Sequence, residues 1–250
     1  ALLKRADQLG CEYIATGHYA QVREENGRYV ISKGIDTWKD QSYVLWGLSQ
    51  ECLKRTIFPM GQFHKEDIRK MAIHRGYEEL AKKPESYEIC FIPDNDYRGF
   101  LKRRVDGLEE EVKGGKFVNT EGKFIGTHDG YPFYTIGQRK LGVSLGENAS
   151  YVIEIRPEKN EVVVGSKEDL KKLEMYVKGL NLVKYDHIPD GIKALTKVRY
   201  KHPGELATLS NEGEEIKALF HAKVEGIAPG QSAVFYEGND LLGGGFIAKK

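Results

Sequence analysis

The spacing of the apolar residues changes partway along this chain, and that change limits the possible folds more than any other feature. Before about residue 112 the apolar positions mostly recur at helical spacing, whereas after it they alternate with polar residues, as in half-buried strands. The alternating segments of the last third are 192–200, 205–209, 215–224, 232–236 and 241–248. Several short strands at this spacing are typical of a small closed β-barrel.

The first residues predict part of an α/β unit. Residues 1–10 have the pattern of an amphipathic helix, and they lead into a strand-like run at 11–16 that ends at Gly17 and His18. Ligands of open α/β sheets bind at the carboxyl ends of the strands, so Gly17 and His18 lie where a cofactor is expected. No strand precedes the helix, and we therefore expect the chain to begin inside an α/β domain.

Turn and cap signals divide the residues that follow. Asn26-Gly27 predicts a tight hairpin turn between strands at 19–24 and 28–33. An apolar face from Tyr43 to Leu53 then predicts a helix with Asp40 or Ser42 as its N-cap. Further helices are predicted at 64–75, ending before Gly76, and at 97–104, and further hairpins pair 116–120 with 123–127 and 151–156 with 161–165.

These patterns predict a fold of class α/β plus β in three domains. We expect a partial Rossmann-like domain at 1–99, a small β-rich central domain at 100–163 and a C-terminal β-barrel domain at 164–250. The length of 250 residues by itself allows either one large domain or two to three small ones.

The overall charge is nearly balanced, which limits how the chain can bind a polyanion. Charged residues make up 30% of the sequence but leave a net charge of only +1, so any nucleic-acid surface must be a local patch. Candidate patches are Arg98 with 102–104, the pair Arg139-Lys140, and 197–202, although exposed basic residues are usually just solvated. The sequence has neither an apolar run of membrane-spanning length nor a signal peptide, so we expect a cytoplasmic protein without a membrane partner.

The cysteines and histidines do not predict a metal site. Cys11, Cys52 and Cys90 are widely separated and odd in number, which argues against a disulfide framework or a CxxC pair. The seven histidines form no HExxH motif and no zinc-like spacing with a cysteine, so we expect no metal ligands. Cys11 and Cys52 lie in apolar-periodic segments, and we interpret them as structural.

Cys90 has two interpretations from its own segment. It lies between Lys82-Lys83 and Asp94, and nearby lysines favour a nucleophilic thiolate if the thiol is reachable from solvent. Alternatively, it is a small apolar residue between Ile89 and Phe91 in a short buried strand, as free cysteines often are. The segment by itself leaves both interpretations open.

Several segments, taken in order, resemble one protein family. They are ATGHYA at 15–20, KDQSY at 39–43, KPESYEICFI at 83–92, YTIGQRK at 134–140 and PGQSAVFY at 229–236. In this combination the chain resembles the tRNA-specific 2-thiouridylase (MnmA/TrmU) family over essentially its whole length, and the match around Cys90 is highly specific. The resemblance implies that the N-terminal part is of the adenine nucleotide alpha hydrolase-like, PP-loop type.

The resemblance implies a sulfur-transfer reaction on RNA. Such an enzyme replaces the C2 oxygen of the wobble uridine (U34) of tRNA with sulfur. ATP adenylates that oxygen, and a cysteine persulfide then attacks C2 as AMP leaves. Cys90 matches the persulfide-bearing cysteine, and a polarizable sulfur is a suitable carrier once the oxygen has become a good leaving group.

The resemblance also implies a set of binding residues. Gly17 matches an ATP-site glycine, and the matches to tRNA-contacting residues are His18, Lys39, Asp40, Gln41, Arg199, Tyr200 and Gln231. Each has a structural alternative, such as a helix cap for Asp40 or a strand-to-loop turn for Gly17. An arginine beside an aromatic residue nevertheless suits phosphate binding and base stacking.

The implied cofactor is ATP with its Mg²⁺, and the implied partners are tRNA and a sulfur-relay protein or cysteine desulfurase, but not DNA. The 250 residues contain neither the family's glycine- and serine-rich pyrophosphatase loop nor its second, resolving cysteine, so we expect this chain alone to be inactive. A non-catalytic tRNA-binding fragment is therefore the alternative. A small-molecule PP-loop ATP pyrophosphatase is a third possibility, which the predicted barrel disfavours because a metabolite needs no RNA-sized surface.

Overall fold

The computed structural model of the chain describes residues 2–83, 92, 94, 96–143 and 149–249. The helices are α1 (Leu2–Gln8), α2 (Gln50–Lys54), α3 (Lys65–His74), α4 (Glu78–Lys82), α5 (Tyr97–Arg104) and α6 (Leu108–Val112). The strands are β1 (Ile14–Ala15), β2 (Ala20–Glu25), β3 (Arg28–Lys33), β4 (Thr56–Ile57), β5 (Gly115–Asn119), β6 (Phe124–His128), β7 (Tyr151–Arg156), β8 (Glu161–Gly165), β9 (Lys171–Leu182), β10 (Lys193–Lys197), β11 (Glu205–Glu212), β12 (Glu215–Glu225), β13 (Ser232–Glu237) and β14 (Asp240–Ile247).

The chain folds into two units. Of the described residues, the first unit holds 2–83, 173–223 and 228–249, and the second holds the rest. The first unit thus combines the N-terminal segment with most of the C-terminal third.

The last third forms the closed barrel that the alternating pattern predicted. Its strands follow the order β13-β10-β11-β12-β9-β14, and pairing between β13 and β14 closes the ring. On β11 and β12 the buried side chains are those of alternate residues, including Ala207, Leu209, Ile216 and Ala218. This period of two is what places one face of each strand in the barrel interior.

The first hairpin extends the sheet of the barrel. β2 and β3 form the predicted hairpin across Asn26 and Gly27, whose φ angles of 52° and 75° match a left-handed hairpin turn. β3 lies beside β14, with Ser32 opposite Asp240. This pairing joins segments about 200 residues apart, and no local sequence signal predicted it.

Asp240 stabilises this junction electrostatically. Its carboxylate accepts hydrogen bonds from Ser32 Oγ (2.7 Å), from the Arg23 guanidinium (2.9 and 3.0 Å) and from Lys184 Nζ (2.8 Å). Burial alone would raise the pKa of Asp240, but these hydrogen bonds outweigh it and hold the pKa well below its ordinary value.

The single helix predicted from Tyr43 to Leu53 is wrong. A short 3₁₀ helix at Ser42–Leu45 is followed by α2, and Ser49 is the N-cap of α2 because its Oγ accepts a hydrogen bond from the backbone N–H of Cys52 at 3.2 Å. Tyr43 and Leu45 are buried in the core of the first unit, which fixes this segment by packing rather than by helical hydrogen bonds. Asp40 and Ser42 therefore cap no α-helix.

The predictions for the later helices are confirmed, whereas the first strand is shorter than predicted. α3 has Arg75 as its C-cap and is followed by Gly76 with φ of 80°, and α5 spans the predicted residues. β1 contains only two residues and pairs in parallel with β4. Cys11 precedes β1 and is exposed, so its interpretation as a structural residue within a strand is wrong.

The core of the first unit joins its N-terminal and C-terminal parts. Hairpin residues, helical residues and barrel residues share one buried apolar cluster: Ala20, Ile31, Tyr43, Leu45, Leu53, Phe58, Val183, Val234, Tyr236 and Leu241. Such burial is the main favourable contribution to folding, so the segment that follows β3 is held against the barrel by the hydrophobic effect.

The second unit contains a four-stranded sheet with the strand order β6-β5-β8-β7. Both of its hairpins pair as predicted, and the central strands β5 and β8 are parallel. Phe117, Phe133, Tyr134, Val152 and Val162 belong to its buried core.

Gly61 offers a test of how the first unit is packed. It lies in a 3₁₀ helix at Pro59–Gln62, and a Cβ atom built on it would lie 1.8 Å from the carbonyl oxygen of Ala20 in β2. We expect Gly61→Ala to lower the free energy of unfolding by ~1–3 kcal/mol, as overpacking typically does. Urea unfolding followed by circular dichroism measures this change.

Gly47→Ala is the matched control, because Gly47 is exposed and its added Cβ would meet no atom within 4 Å. Equal unfolding midpoints for the two variants would contradict the close approach of residues 59–62 to β2.

Candidate nucleic-acid interface

The loop after β3 is held by the buried carboxylate of Asp36. Its Oδ1 accepts hydrogen bonds from the backbone N–H groups of Trp38 and Lys39, both at 3.2 Å, and its Oδ2 accepts one from the N–H of Lys65 at 2.9 Å. A carboxylate that binds backbone N–H groups two and three residues further on fixes the turn locally. The backbone at Lys39, one of the predicted contacts, is therefore held in one conformation.

Asp40 continues the same arrangement. Its Oδ1 accepts from the N–H groups of Gly34 (3.1 Å) and Ser42 (3.2 Å), and its Oδ2 accepts from Ser42 Oγ (3.0 Å). The Ser42 hydroxyl also lies 3.1 Å from the hydroxyl of Tyr236 on β13. The carboxylate of Asp40 thus holds the loop through hydrogen bonds and does not act as the helix cap that was its structural alternative.

Gln41 connects this loop to the segment after β1. Its side-chain Oε1 accepts a hydrogen bond from the N–H of Tyr19 at 3.0 Å, and its own N–H donates to the carbonyl of Tyr19 at 2.9 Å. His18, which precedes Tyr19, is half-buried. Its Nδ1 lies 2.9 Å from Thr16 Oγ1, and its ring packs edge-on to the ring of Phe58. Two of the predicted contacts, His18 and Gln41, are thereby brought close together.

Gly17 is exposed just beyond the carboxyl end of β1. A Cβ atom built on it would meet nothing within 4 Å, so packing inside the described part of the chain does not require a glycine here. The open backbone at this strand end fits the close approach of a nucleotide.

The barrel contributes the remaining predicted residues. Tyr200, which is exposed and follows β10, donates a hydrogen bond from its hydroxyl to the carbonyl of Asp40 at 3.2 Å, and its ring lies 5.9 Å from that of Tyr43. Tyr43 in turn donates to the carbonyl of Ser232 at 2.8 Å, next to the exposed Gln231. Segments 39–43, 199–200 and 231–232 therefore meet, and we refer to them as the loop–barrel surface.

The tyrosine hydroxyl that ties the loop to β13 remains protonated over the physiological range. Burial raises the pKa of Tyr43 to about 12, so the hydroxyl can donate to Ser232 at neutral pH. Burial likewise raises the pKa of Tyr236, whose hydroxyl faces Ser42.

Basic side chains lie beside the loop–barrel surface. Lys197 is half-buried, and its ammonium makes no hydrogen bond or ion pair with any described residue. Burial lowers its pKa and the nearby Lys33 lowers it further, although Asp40 acts in the opposite direction. Burial, Arg199 and Lys197 together lower the pKa of His202. This local excess of positive charge suits an anionic ligand.

The sequence predicts the basic patch at 197–202 but not the contribution of Lys33 to it. Its ammonium lies 4.7 Å from the ring centroid of Tyr236, within electrostatic range of Lys197. About 160 residues separate the two lysines in the sequence, and the pairing of β3 with β14 helps to bring them together. A lysine at the end of a predicted strand carries no local signal of this proximity.

The positive charge of the predicted patch on α5 is more nearly neutralised by carboxylates than the charge beside the loop–barrel surface. Ion pairs join Lys102 to Glu109, Arg98 to Asp129 at 3.9 Å and Arg103 to Asp94 at 3.4 Å. The Arg98 guanidinium also lies over the rings of Phe133 and Tyr134, about where cation–π contacts occur. The loop–barrel surface is therefore the stronger candidate for binding an anionic ligand.

The remaining expectations concern Cys90, a metal site and a membrane-spanning helix. Cys90 lies in the segment 84–91, outside the described residues. Among the residues that the structure describes, no group of three or more His, Cys, Asp or Glu side chains could hold a metal ion. No helix in the same part of the chain is long and apolar enough to cross a membrane.

Family comparisons cover nearly the whole chain. Residues 1–94 match the tRNA methyl transferase HUP domain, 98–166 the tRNA methyl transferase PRC-barrel domain, and 172–247 the aminomethyltransferase β-barrel domain. This domain combination defines a class of tRNA-modifying proteins and agrees with the predicted fold class.

Individual relatives narrow the class to one family. Proteins named tRNA-specific 2-thiouridylase MnmA from Cytophaga hutchinsonii, Amoebophilus asiaticus and Salinibacter ruber are 58%, 59% and 54% identical to this chain, over 99% of its length in each case. The matched region is 67%, 66% and 65% of those proteins, so the chain spans about two thirds of their length. The chain belongs to the tRNA-specific 2-thiouridylase family, as its motifs indicated.

Asp40 provides a test of how the loop is held. Asp40→Ala removes the acceptor for three donors at once, and we expect it to lower the free energy of unfolding by ~1–3 kcal/mol because those donors lose their partner. Asp40→Asn keeps an oxygen acceptor and should cost less. Chemical denaturation of the two variants measures the difference.

Gln231→Ala is the control, because this exposed side chain makes no hydrogen bond with the described residues. If Asp40→Ala were as stable as Gln231→Ala, the carboxylate would not hold the loop.

Proposed function

We propose that the protein containing this chain is a tRNA-uridine 2-sulfurtransferase, and that the loop–barrel surface holds the tRNA. The observation that carries the proposal is the 3.2 Å hydrogen bond between Tyr200 and the carbonyl of Asp40. It joins two segments that both match tRNA-contacting residues of the family and that lie 160 residues apart in the sequence. The names of the relatives support the same substrate.

The composition of the loop–barrel surface supports RNA binding. Arg199 is exposed and can contact phosphate, while the neighbouring Tyr200 offers a flat aromatic face. The Nε2 group of Gln41 makes no hydrogen bond with the described residues and can donate to a base or a ribose. The carboxylates of Asp36 and Asp40 are occupied by backbone donors, which reduces their repulsion of phosphate.

Cys90 is the proposed sulfur carrier. The outer sulfur of its persulfide attacks C2 of the wobble uridine, and AMP leaves with the former C2 oxygen. A second thiol then attacks the Cys90 sulfur, which forms a disulfide and releases the 2-thiouridine. The target base must leave its stack for this reaction, and an anticodon loop makes that inexpensive.

ATP, accompanied by Mg²⁺, supplies the adenylyl group that turns the C2 oxygen into a leaving group. We propose that Gly17 lies against the nucleotide, because its backbone is open at the carboxyl end of β1. A sulfur-relay protein or cysteine desulfurase loads the persulfide, and the reaction takes place in the cytoplasm.

Arg199→Ala tests the RNA-binding part of the proposal. We expect this variant to bind tRNA more weakly. We also expect the slope of log K against log[salt] to become smaller in magnitude by about one, because one phosphate contact is lost. Affinities measured by filter binding at several salt concentrations give this slope.

Lys193→Ala is a control with the same change of charge, because Lys193 is exposed at the opposite end of β10. Equal slopes for both variants would show that Arg199 does not contact the RNA backbone.

Cys90→Ala tests the chemical part. In the complete protein we expect it to abolish 2-thiouridine formation while tRNA affinity stays within a few fold, because the thiol carries sulfur and is not needed for binding. Mass spectrometry of digested tRNA measures the product. Cys11→Ala, which removes an exposed thiol, should retain activity. Undiminished thiolation by Cys90→Ala would refute the assignment.

A further inference from the structure

We propose that Trp38 stacks on an unpaired base of the tRNA that the loop–barrel surface binds. This inference rests on the proposed function and adds to it a residue that the family motifs did not select. The proposal depends on three features of Trp38: its exposure, the rigidity of its backbone and its position.

Trp38 is exposed to an unusual degree. It retains 94% of its accessible surface, whereas the next most exposed large apolar residue that the structure describes, Leu80, retains 66%. Tryptophan is normally among the more buried residues on average. Single exposed apolar residues are nevertheless common, so exposure by itself would carry no conclusion.

The backbone that carries this indole is already ordered. The N–H of Trp38 donates to Asp36 Oδ1, and the next N–H, that of Lys39, donates both to the same oxygen and to the Asp36 carbonyl at 3.1 Å. Asp36 is itself buried and bound to the N–H of Lys65. A ligand that stacks on the indole therefore pays little conformational entropy for ordering the chain.

The position of Trp38 favours nucleic acid over an apolar protein partner. It directly precedes the predicted contacts Lys39, Asp40 and Gln41, and the residue before it, Thr37, is polar and exposed. The basic residues Lys33, Lys197 and Arg199 supply positive charge beside this loop. Aromatic faces next to a basic groove are the usual combination in proteins that bind single-stranded nucleic acid.

The bound base should be unpaired. Paired bases inside an A-form helix present edges in the groove, and their faces are covered by neighbouring bases, whereas loop bases can be splayed out and stacked on an aromatic side chain. A tRNA loop offers such bases close to a helical stem whose phosphates can meet the basic residues.

Trp46, the second of the two tryptophans in the chain, has a structural role and gives a matched comparison. Its Nε1–H donates to Ser232 Oγ at 3.1 Å, and its ring packs edge-on to Phe246 at 5.2 Å. It is half-buried, so its fluorescence reports on the fold, whereas that of Trp38 reports on the solvent-facing loop.

The experiment measures tryptophan fluorescence of the 250-residue chain during titration with an anticodon stem-loop RNA. In Trp46→Phe, where only Trp38 emits, we expect the RNA to quench the emission and to protect the indole from acrylamide. Both effects should saturate with binding, followed independently by the anisotropy of labelled RNA. In Trp38→Phe the remaining emission, that of Trp46, should stay nearly constant.

Affinity provides a second measurement that does not depend on the Trp46 variant. We expect Trp38→Ala in the otherwise unchanged chain to weaken binding of the stem-loop by about 5- to 150-fold, the range typical of losing one stacked base, and Trp38→Phe to weaken it less. A duplex of the stem sequence without the loop should bind wild type and Trp38→Ala equally.

The experiments distinguish a failure of the Trp38 inference from a failure of the proposed RNA-binding surface. Stem-loop binding with unchanged Trp38 emission and unchanged Trp38→Ala affinity would overturn this inference and leave the proposed function intact. Equal losses of affinity for stem-loop and duplex would also overturn it, since an unpaired base would not be the target. A wild-type chain that binds no tRNA stem-loop would overturn the RNA-binding surface itself.

Discussion

The docking of residues 36–46 against the barrel is the constraint on which the candidate site depends. Three hydroxyl hydrogen bonds contribute to it: Tyr43 to the carbonyl of Ser232, Ser42 with Tyr236, and Tyr200 to the carbonyl of Asp40. The buried tyrosine rings contribute apolar area to the same contact. Because these bonds join the N-terminal segment to the barrel, neither part alone would present the loop–barrel surface.

The same arrangement explains how a nearly neutral chain can offer a surface for a polyanion. The net charge of +1 excludes a general electrostatic attraction, so the local balance of charge decides. At and beside the loop–barrel surface, the carboxylates of Asp36 and Asp40 are occupied by backbone N–H groups, whereas Lys197 has no ion pair among the described residues. On α5, by contrast, the basic side chains of Arg98, Lys102 and Arg103 have carboxylate partners.

Short-range sequence patterns predicted the strands, turns and helix ends that depend on neighbouring residues. The alternating pattern predicted the barrel, Asn26-Gly27 predicted the first hairpin, and Gly76 predicted the end of α3. The helix predicted from Tyr43 to Leu53 failed because burial against the barrel, and not helical periodicity, sets the spacing of its apolar residues. The pairing of β3 with β14 is non-local and had no sequence signal.

The candidate site was predicted from family motifs and not from the chemistry of single residues. Taken individually, Asp40 fits a helix cap, whereas the structure shows that the side chains of Asp40 and Gln41 accept hydrogen bonds from backbone N–H groups. What the sequence could not provide is their proximity to Tyr200 and Lys33, which depends on the closed barrel. Trp38 belongs to none of the family motifs. Its exposure, which makes it a candidate contact, is visible only in the fold.

The central claim is that two distant segments form one RNA-binding surface, and backbone hydrogen exchange of the chain with and without an anticodon stem-loop RNA tests it most directly. We predict slower exchange in 36–43 and in 198–202, with the same dependence on RNA concentration. Protection of only one of these segments, or of neither, under conditions where the RNA is bound would contradict it.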